Sequence, residues 1–217
     1  VHVAAGTYYE NIYLLDGVEL LGAGGASTII DGLQADTVIE IRNVGNTTRV
    51  DGFTITNGSP LQYGAGIYNY YSYPVIGNCT FQKNTAPVFG GGIYNHYSSP
   101  TVTNCAFINN SANSGGGGIH NYHSSPVIAD YTFTNNSAGS GAGIENNAYS
   151  SPTITNCTFT NNSAGGGGGI SCAQYSSPTI TNCIIRDNTA GGLGGGGMAI
   201  SSPRSSPTIT NCTFFNN

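Results

Sequence analysis

Charged side chains are scarce in this chain of 217 residues, where they account for 7% of the sequence. An ordinary soluble domain has about a quarter of its residues charged, so Asn, Ser and Thr must supply the polar surface here. The net charge is −5, and the five basic residues are scattered along the chain, at Arg42, Arg49, Lys83, Arg186 and Arg204. A protein that neutralises a phosphate backbone needs clustered basic side chains. We therefore expect no nucleic-acid partner.

Long apolar runs are missing as well, and no segment approaches the about 20 apolar residues of a membrane-spanning helix. No basic segment followed by an apolar one, as in a secretory signal, opens the sequence. Val1 starts in a strand-like pattern and Asn217 lies within a repeat, which favours a processed protein or a piece of a longer one. The composition, rather than a signal, leads us to expect an extracellular or cell-surface location.

The sequence contains an internal repeat. Its prolines recur every 26 residues and then once after 29, at Pro74, Pro100, Pro126, Pro152, Pro178 and Pro207. Cysteines follow five residues later, with Tyr131 in the one missing place, at Cys79, Cys105, Cys157, Cys183 and Cys212. Isoleucines form a third column at Ile67, Ile93, Ile119, Ile144, Ile170 and Ile200. Apolar residues at such fixed places argue against disorder.

Each unit has the pattern of short strands. Residues 152–155 and 157–160 alternate apolar and polar side chains, Asn156 marks a bend between them, and residues 143–144 follow a glycine-rich turn. Three strands and three turns in 26 residues predict one coil of a parallel β-helix, which the crossover rule makes right-handed. The prediction is a single all-β domain over residues 1–217 with about eight coils, irregular in 1–60 and regular in 61–217.

Coils stacked about 4.8 Å apart place like residues above like. The isoleucine column above should therefore lie inside the solenoid. Two further interior columns are expected, one of Ile154, Ile180 and Ile209 and one of Phe81, Phe107, Phe133, Phe159 and Phe214. At the bend, side-chain amides should bond to one another along Asn78, Asn104, Asn156, Asn182 and Asn211.

The opening segments VAAGTYYENIYL, GVELLGAGG and TIIDG resemble the N-terminal coils of the pectin-lyase-like superfamily. The later GGGI and CTFTNNSA segments are similar to repeats of polymorphic outer-membrane and other right-handed β-helix repeat proteins. The resemblance covers essentially the whole chain and implies the fold. It does not imply the function, because the superfamily includes lyases, esterases, glycosidases, adhesins and surface-structure proteins.

The chain departs from the enzymes of that superfamily. Its sequence has no GxxDFIFG, NTD, GHG, WIDH or RxPxxR segment, and beyond residue 51 it has three acidic residues, too few to expect the paired carboxylates of glycoside hydrolysis. Asp31, Asp36 and Asp51 cluster in the first coils, where bonds to turn backbone are the simpler interpretation. We therefore expect no enzyme activity, no catalytic residue and no cofactor.

Cysteine and histidine are the candidate metal-binding or acid-base groups of the chain. Five cysteines share one column, where parallel Cβ vectors about 4.8 Å apart are marginal for a disulfide, so buried thiols are the expectation, and Cys172 stands apart. No zinc-type spacing occurs. His96, His120 and His123 fall on adjacent coils, and Glu145 should stack on His120, but their columns also hold Tyr68, Tyr94 and Ser171. No metal site is predicted.

Two surface arrays and one row of sequons remain. Aromatic residues three places before each proline form a candidate ligand or subunit contact: Tyr71, Tyr97, His123, Tyr149 and Tyr175, followed by Arg204; mutual ring stacking is the alternative. Outward threonines form a flat array: Thr101, Thr103, Thr153, Thr155, Thr179, Thr181, Thr208 and Thr210. Candidate glycosylation sites form a column at Asn109, Asn135 and Asn161.

These features give three hypotheses of function. The first is a non-catalytic extracellular structural or surface protein, whose coils associate axially or laterally into a filament, sheath or adhesin-type array. The second is a β-helix that binds or cleaves polysaccharide, with the tyrosine column as a platform for sugars. The third is an ice-binding β-solenoid that uses the threonine array.

Overall fold

The computed structural model describes residues 1–192 and 194–217. Those residues contain strands and turns, and no helix among them is long and apolar enough to span a membrane. The strands stack into a single-domain parallel β-solenoid of about eight coils with a spacing of about 26 residues. The predicted fold class is confirmed.

Sheets 1 and 2 run the length of the solenoid, each with nine parallel strands in the described residues. Sheet 1 consists of His2–Val3, Glu19–Gly22, Arg49–Asp51, Val75–Gly77, Thr101–Thr103, Val127–Ala129, Thr153–Thr155, Thr179–Thr181 and Thr208–Thr210. Sheet 2 consists of Gly6–Tyr9, Thr28–Asp31, Thr54–Thr56, Thr80–Gln82, Ala106–Ile108, Thr132–Thr134, Thr158–Thr160, Ile184–Arg186 and Thr213–Phe215.

Two more sheets complete the coils. Sheet 3 is short and consists of Thr85–Ala86, Ser111–Gly115, Ser137–Ser140, Ser163–Gly166 and Thr189–Ala190. Sheet 4 consists of Ile12–Leu14, Ile39–Arg42, Ile67–Tyr70, Ile93–His96, Ile119–Tyr122, Ile144–Asn147, Ile170–Cys172 and Met198–Ile200. The three strands per coil predicted from the sequence match sheets 1, 2 and 4. Sheet 3 was missed, because its Ser, Ala and Gly residues have the composition of a turn.

Residues one repeat apart lie directly above one another and share backbone hydrogen bonds. In sheet 1, Ile76 is in register with Val50 on one side and Val102 on the other. The backbone N–H of Cys157 lies 3.4 Å (N to Sγ) from Cys183 of the next coil. The inference from the 26-residue spacing therefore holds at the atomic level.

The interior columns pack as predicted except at Ile200 and, in the last coil, at Ile209 and Phe214, which are 43% and 41% exposed. Phe81, Phe107, Phe133 and Phe159 are fully buried, and their stacked ring centroids lie 4.6–4.9 Å apart. Ile185 continues this column and pairs with Phe214.

Ile200 was wrongly assigned to the isoleucine column. Ile170 is in register with Met198, whereas Ile200 lies opposite Cys172 and is 52% exposed. The unit that ends here has extra residues in its glycine-rich stretch, so the position above Ile170 comes 28 residues later, at Met198. The recurrence of isoleucine alone cannot locate such an insertion. Met198 and Ile200 lie two residues apart on one strand, so their side chains point to the same side.

Glycine next to the sheet 4 strands is required by close packing between coils. A Cβ on Gly92 would lie 2.6 Å from the carbonyl oxygen of Gly118 and 2.6 Å from the ring of Phe107. The glycines therefore let the backbone of one coil rest on the next and on the phenylalanine column.

Polar ladders, which the sequence patterns do not predict, run alongside the apolar columns and are buried except at the last coil. In one of them, each Asn side chain bonds to the backbone and to the side chain of the Asn one coil away: Asn84, Asn110, Asn136, Asn162, Asn188 and Asn217. A second ladder in sheet 4 joins Asn69, Asn95, Asn121 and Asn146. In a third, each serine N–H bonds to the next hydroxyl: Ser72, Ser98, Ser124, Ser150, Ser176 and Ser205.

The exposed Asn column at the bend between sheets 1 and 2 is confirmed. Nδ2 of Asn104 donates to Oδ1 of Asn78 at 2.6 Å, and Asn182 and Asn211 continue the chain of bonds. Asp130 takes one place in it and accepts from Asn156 at 3.1 Å. These residues have φ of 51–67°, in the left-handed region that Asn and Asp tolerate better than most residues.

Asn136→Ala should lower the free energy of unfolding by about 3–5 kcal/mol, because it leaves several buried groups without partners. Asn136 accepts from the N–H and Nδ2 of Asn110 and donates to the carbonyl of Phe107. Urea denaturation measures the change. The control, Asn113→Ala at an exposed place in sheet 3, should change stability by less than about 0.5 kcal/mol, and equal losses in the two variants would contradict the ladder's role.

Candidate functional site

The aromatic column is a continuous stack at the corner between sheet 4 and sheet 1. Tyr71 and Tyr97 have ring centroids 5.0 Å apart and an interplanar angle of 3°. Tyr97 and His123 follow at 4.8 Å and 4°. His123 and Tyr149 are less regular at 5.9 Å and 19°, and Tyr149 and Tyr175 return to 4.9 Å and 11°. The five predicted residues are therefore brought together in one row.

Arg204 closes this row at one end. Its guanidinium carbon lies 5.3 Å from the centroid of the Tyr175 ring, and Nη1 donates to the Tyr175 hydroxyl at 2.7 Å. Because the rings stack face to face, their faces contact one another and their edges are left toward solvent. Tyr149 is 61% exposed and Tyr97 37%.

A second row of rings supports the first from the last position of the sheet 4 strands. Tyr70, His96 and Tyr122 stand one coil apart, with centroids 5.2 Å from one to the next. Tyr70 meets Tyr71 edge to face at 4.6 Å, and Tyr122 meets His123 in the same way at 4.7 Å. Edge-to-face contacts of this kind hold the outer rings in one orientation.

The backbone of the aromatic column is strained. Tyr71, Tyr97 and His123 have φ of 47°, 50° and 49°, and Tyr149 and Tyr175 have 63° and 65°. A bulky residue in this region is an outlier that costs about 1–3 kcal/mol. Stacking of the rings offsets part of that cost, since aromatic pairs contribute about 0.5–1.5 kcal/mol beyond the area they bury.

His120 and Glu145 form a buried pair, as their predicted register required. Nδ1 of His120 lies 3.0 Å from Oε2 of Glu145, and the two residues are 0% and 6% exposed. The ring of Phe89 covers His120 at 4.3 Å between centroids, and Nε2 of His120 is buried without a hydrogen-bond partner. The pair is closed to solvent.

The side chain of Glu145 occupies space left by a glycine. A Cβ on Gly115 would lie only 1.4 Å from Oε2 of Glu145. Gly115 belongs to a short column whose other members are Tyr63 and Phe89, with rings 6.0 Å apart and nearly parallel. No sequence pattern predicts this column, because Tyr63 and Phe89 lie in loops outside the repeating strands.

Burial shifts the protonation of the neighbouring aromatic groups. Burial lowers the pKa of the His96 imidazole below its ordinary value, and the nearby His123 and His120 lower it further. Burial also raises the pKa of the Tyr94 phenol well above its ordinary value. Both shifts favour the neutral form of the side chain at neutral pH.

Two of the three acidic residues of the first coils bond to turn backbone, as the simpler interpretation predicts, whereas Asp51 bonds to side chains. Asp31 accepts from the N–H of Leu33 at 2.9 Å, and Asp36 from the N–H of Thr37 at 2.7 Å. Asp51 forms an ion pair with Arg49 at 2.6 Å. Each carboxylate therefore already has a structural partner.

The threonine array lies on sheet 1 and is interrupted. Three neighbouring strands at its C-terminal end, Thr153–Thr155, Thr179–Thr181 and Thr208–Thr210, stack in register. The adjoining strand, Val127–Ala129, separates them from Thr101 and Thr103. The continuous array is thus three strands wide.

The candidate glycosylation sites lie at an exposed corner. Asn109, Asn135 and Asn161 stand one coil apart with φ of 55–56°, and their side chains are accessible. Whether they carry glycans stays a prediction.

The cysteine column consists of free thiols, and Cys172 is buried apart from it. Each thiol of the column donates to the carbonyl two residues before it, as from Cys183 to Thr181 at 3.3 Å and from Cys212 to Thr210 at 3.2 Å. Hydrogen bonding with Cys157 lowers the pKa of the Cys183 thiol to about 7, whereas burial raises that of Cys172 to about 12. In the described ranges 1–192 and 194–217, no group of three or more Cys, His, Asp or Glu could hold a metal ion.

One comparison with known proteins identifies a family. A family model described as a right handed beta helix region matches residues 16–176 and 141–217. This match and the observed solenoid confirm the resemblance drawn from the opening segments and the repeats. No curated protein matches the chain.

Glu145→Ala should lower the free energy of unfolding by about 3–5 kcal/mol, because it leaves His120 buried with neither ring nitrogen paired. Glu145→Gln keeps a side-chain oxygen that accepts from Nδ1–H, so it should lose less stability. Urea denaturation of the two variants measures the difference. If both variants lost the same stability, the contact between His120 and Glu145 would not be what stabilises this part of sheet 4.

Proposed function

The chain belongs to the right-handed β-helix family, and we propose that it is a non-catalytic structural module of an extracellular or cell-surface protein. In this proposal, the aromatic column of Tyr71, Tyr97, His123, Tyr149 and Tyr175 associates laterally with a second copy. The observation that carries the proposal is the strained backbone under exposed, stacked rings.

The residue type distinguishes this corner from the corners on either side of sheet 2, where the left-handed residues of the regular coils are Asn or Asp apart from Lys83. Asn occupies left-handed positions at Asn104 and Asn109, where its short polar side chain tolerates the conformation. Tyr97, in the same coil, has a φ of 50° that Asn or Gly would adopt at lower cost. The aromatic residues at this corner are therefore explained by the contacts of their side chains and not by the conformation of the backbone.

The exposed edges of the rings suit a protein contact. Tyrosine presents large apolar area together with a hydroxyl, and little conformational entropy is lost when rings already held by stacking become buried. The row repeats the same group at each coil, about 4.8 Å apart. A second copy carries the same row with the same spacing, so two rows match along their whole length in a two-fold interface.

Polysaccharide binding through ring faces is less well supported. A sugar stacks on the face of an aromatic ring, but the inner rings of the column already contact another ring on each side, and Arg204 lies over Tyr175. A catalytic role is also less well supported. His120 and Glu145 are sealed beneath Phe89, and Asp31, Asp36 and Asp51 are bonded to their own turns or to Arg49.

The proposal predicts that the purified chain self-associates as its concentration rises, and that Tyr97→Asn combined with Tyr149→Asn abolishes this association. Asn keeps the left-handed backbone while it removes the ring, so the fold should be retained. Sedimentation velocity over a hundredfold concentration range measures the association, and electron microscopy distinguishes lateral from axial contacts.

The matched control is Thr101→Ala combined with Thr153→Ala, which changes exposed side chains of sheet 1 in the same two coils. It should associate like the unmodified chain. A chain that stays monomeric throughout, or a tyrosine variant that associates normally, would exclude the aromatic column as the contact. Glycan binding that the tyrosine variant loses would instead support the polysaccharide hypothesis.

The threonine array keeps ice binding as a second candidate. Three adjacent strands present outward threonines two residues apart in register, which is a flat and regular hydroxyl lattice. This hypothesis predicts thermal hysteresis that Thr179→Tyr removes, because a large ring at the centre of the array would lift it from a flat ice face. Absence of hysteresis in the unmodified chain would rule it out.

A further inference from the structure

In the cysteine column, two adjacent sulfurs accept hydrogen bonds from the backbone N–H groups of the neighbouring coils. The N–H of Cys157 is directed at the sulfur of Cys183, and the N–H of Cys183 at the sulfur of Cys212, each with N to Sγ of 3.4 Å. Cys183 is buried and Cys212 is partly exposed. Two adjacent sulfurs thus each have a backbone donor, and one of them is accessible from solvent.

Such donors stabilise the thiolate form of a cysteine. An N–H that points at a sulfur favours negative charge on it, and hydrogen bonds to ionised groups are about twice as strong as neutral ones. Hydrogen bonds from Cys157, first from its side chain and then from its backbone N–H, lower the pKa of the Cys183 thiol to about 7, whereas burial raises the pKa of the Cys212 thiol. No positively charged side chain is needed, since the backbone of the neighbouring coil supplies the donors.

The spacing of the column favours a bridging atom over a disulfide. Sheet strands lie about 4.8 Å apart, whereas the Cβ atoms of a disulfide lie about 3.8 Å apart. A thiolate sulfur lies about 2.3 Å from a filled-shell metal ion such as zinc, so two bonds in line span about 4.6 Å. This length is close to the distance between coils.

We propose that Cys183 and Cys212 bind Cu(I), a soft monovalent metal ion, in linear two-coordinate geometry between their sulfurs. Soft thiolate ligands select Cu(I) among the biological metals. On binding, two S–H bonds break, two S–Cu bonds form and two protons pass to solvent. The oxidation state of the metal does not change, and the resulting site carries one negative charge, which faces the two N–H donors.

The same column offers an internal comparison at Cys79 and Cys105. Both are buried, at 2% and 4% exposed, and burial raises the pKa of the Cys105 thiol well above its ordinary value. Cys79 donates to the carbonyl of Gly77 at 3.0 Å and Cys105 to that of Thr103 at 3.3 Å, in the same way as Cys183 and Cys212 donate to the carbonyls two residues before them. This pair shares the spacing of Cys183 and Cys212 but not their access to solvent.

The test is an anaerobic titration of the whole chain with Cu(I) in competition with a chromogenic Cu(I) chelator. The expected stoichiometry is one ion per chain, with two sulfur neighbours in the X-ray absorption spectrum. Cys183→Ser and Cys212→Ser should each lose the site that competes with the chelator for Cu(I). Because Cys212 is partly exposed, Cys212→Ala serves as a second variant should the serine perturb the fold, which circular dichroism checks.

The matched controls are Cys79→Ser and Cys105→Ser, which should bind Cu(I) like the unmodified chain. Zn²⁺ should compete poorly, because it takes four ligands in protein sites. The proposal is overturned by a chain that binds no Cu(I), by retention of binding in both Cys183→Ser and Cys212→Ser, or by a disulfide between these residues in the untreated chain.

Discussion

Every feature of this molecule depends on the parallel hydrogen bonding of each coil to the next. Because the strands pair in register, a residue has the residue one repeat away as its neighbour, about 4.8 Å distant. A side chain must therefore be compatible with a copy of itself. Phenylalanine meets this condition by stacking, and Asn meets it by donating its amide to the next carbonyl, as Asn110 does to Asn136. A single unmatched residue disturbs two interfaces at once.

The same constraint explains why the chain has so few charges. Like charges about 4 Å apart repel by about 4 kcal/mol at the effective dielectric constant of a protein surface. A repeated Lys or Glu would incur this repulsion at each coil. The charges present are arranged to avoid it: Glu19 lies opposite Arg49 in sheet 1, and Asp130 lies between two Asn residues. Hydroxyl and amide groups take over the polar surface because they can donate to one another.

The sequence predicted the features that follow from register alone. The proline period identified the solenoid, and the spacing of His120 and Glu145 identified their contact. The sequence could not predict which side of the strand a small polar residue faces. Asn109 and Asn110 are adjacent and look alike, but one is exposed at a left-handed corner while the other is fully bonded in the interior. Likewise, no spacing rule shows that Phe89 covers His120, because loops have no period.

Repetition also bears on what kind of function such a surface can have. An active site needs different groups that converge on one substrate, and this requires a coil that differs from its neighbours. In this chain the two neighbouring coils that carry His120 and Glu145 in place of tyrosine or serine direct these side chains inward beneath Phe89. The outward residues of the regular coils instead present one group many times at one spacing. A surface of that kind is recognised best by a partner surface with the same spacing. Another copy of the solenoid has this spacing because it has the same coils.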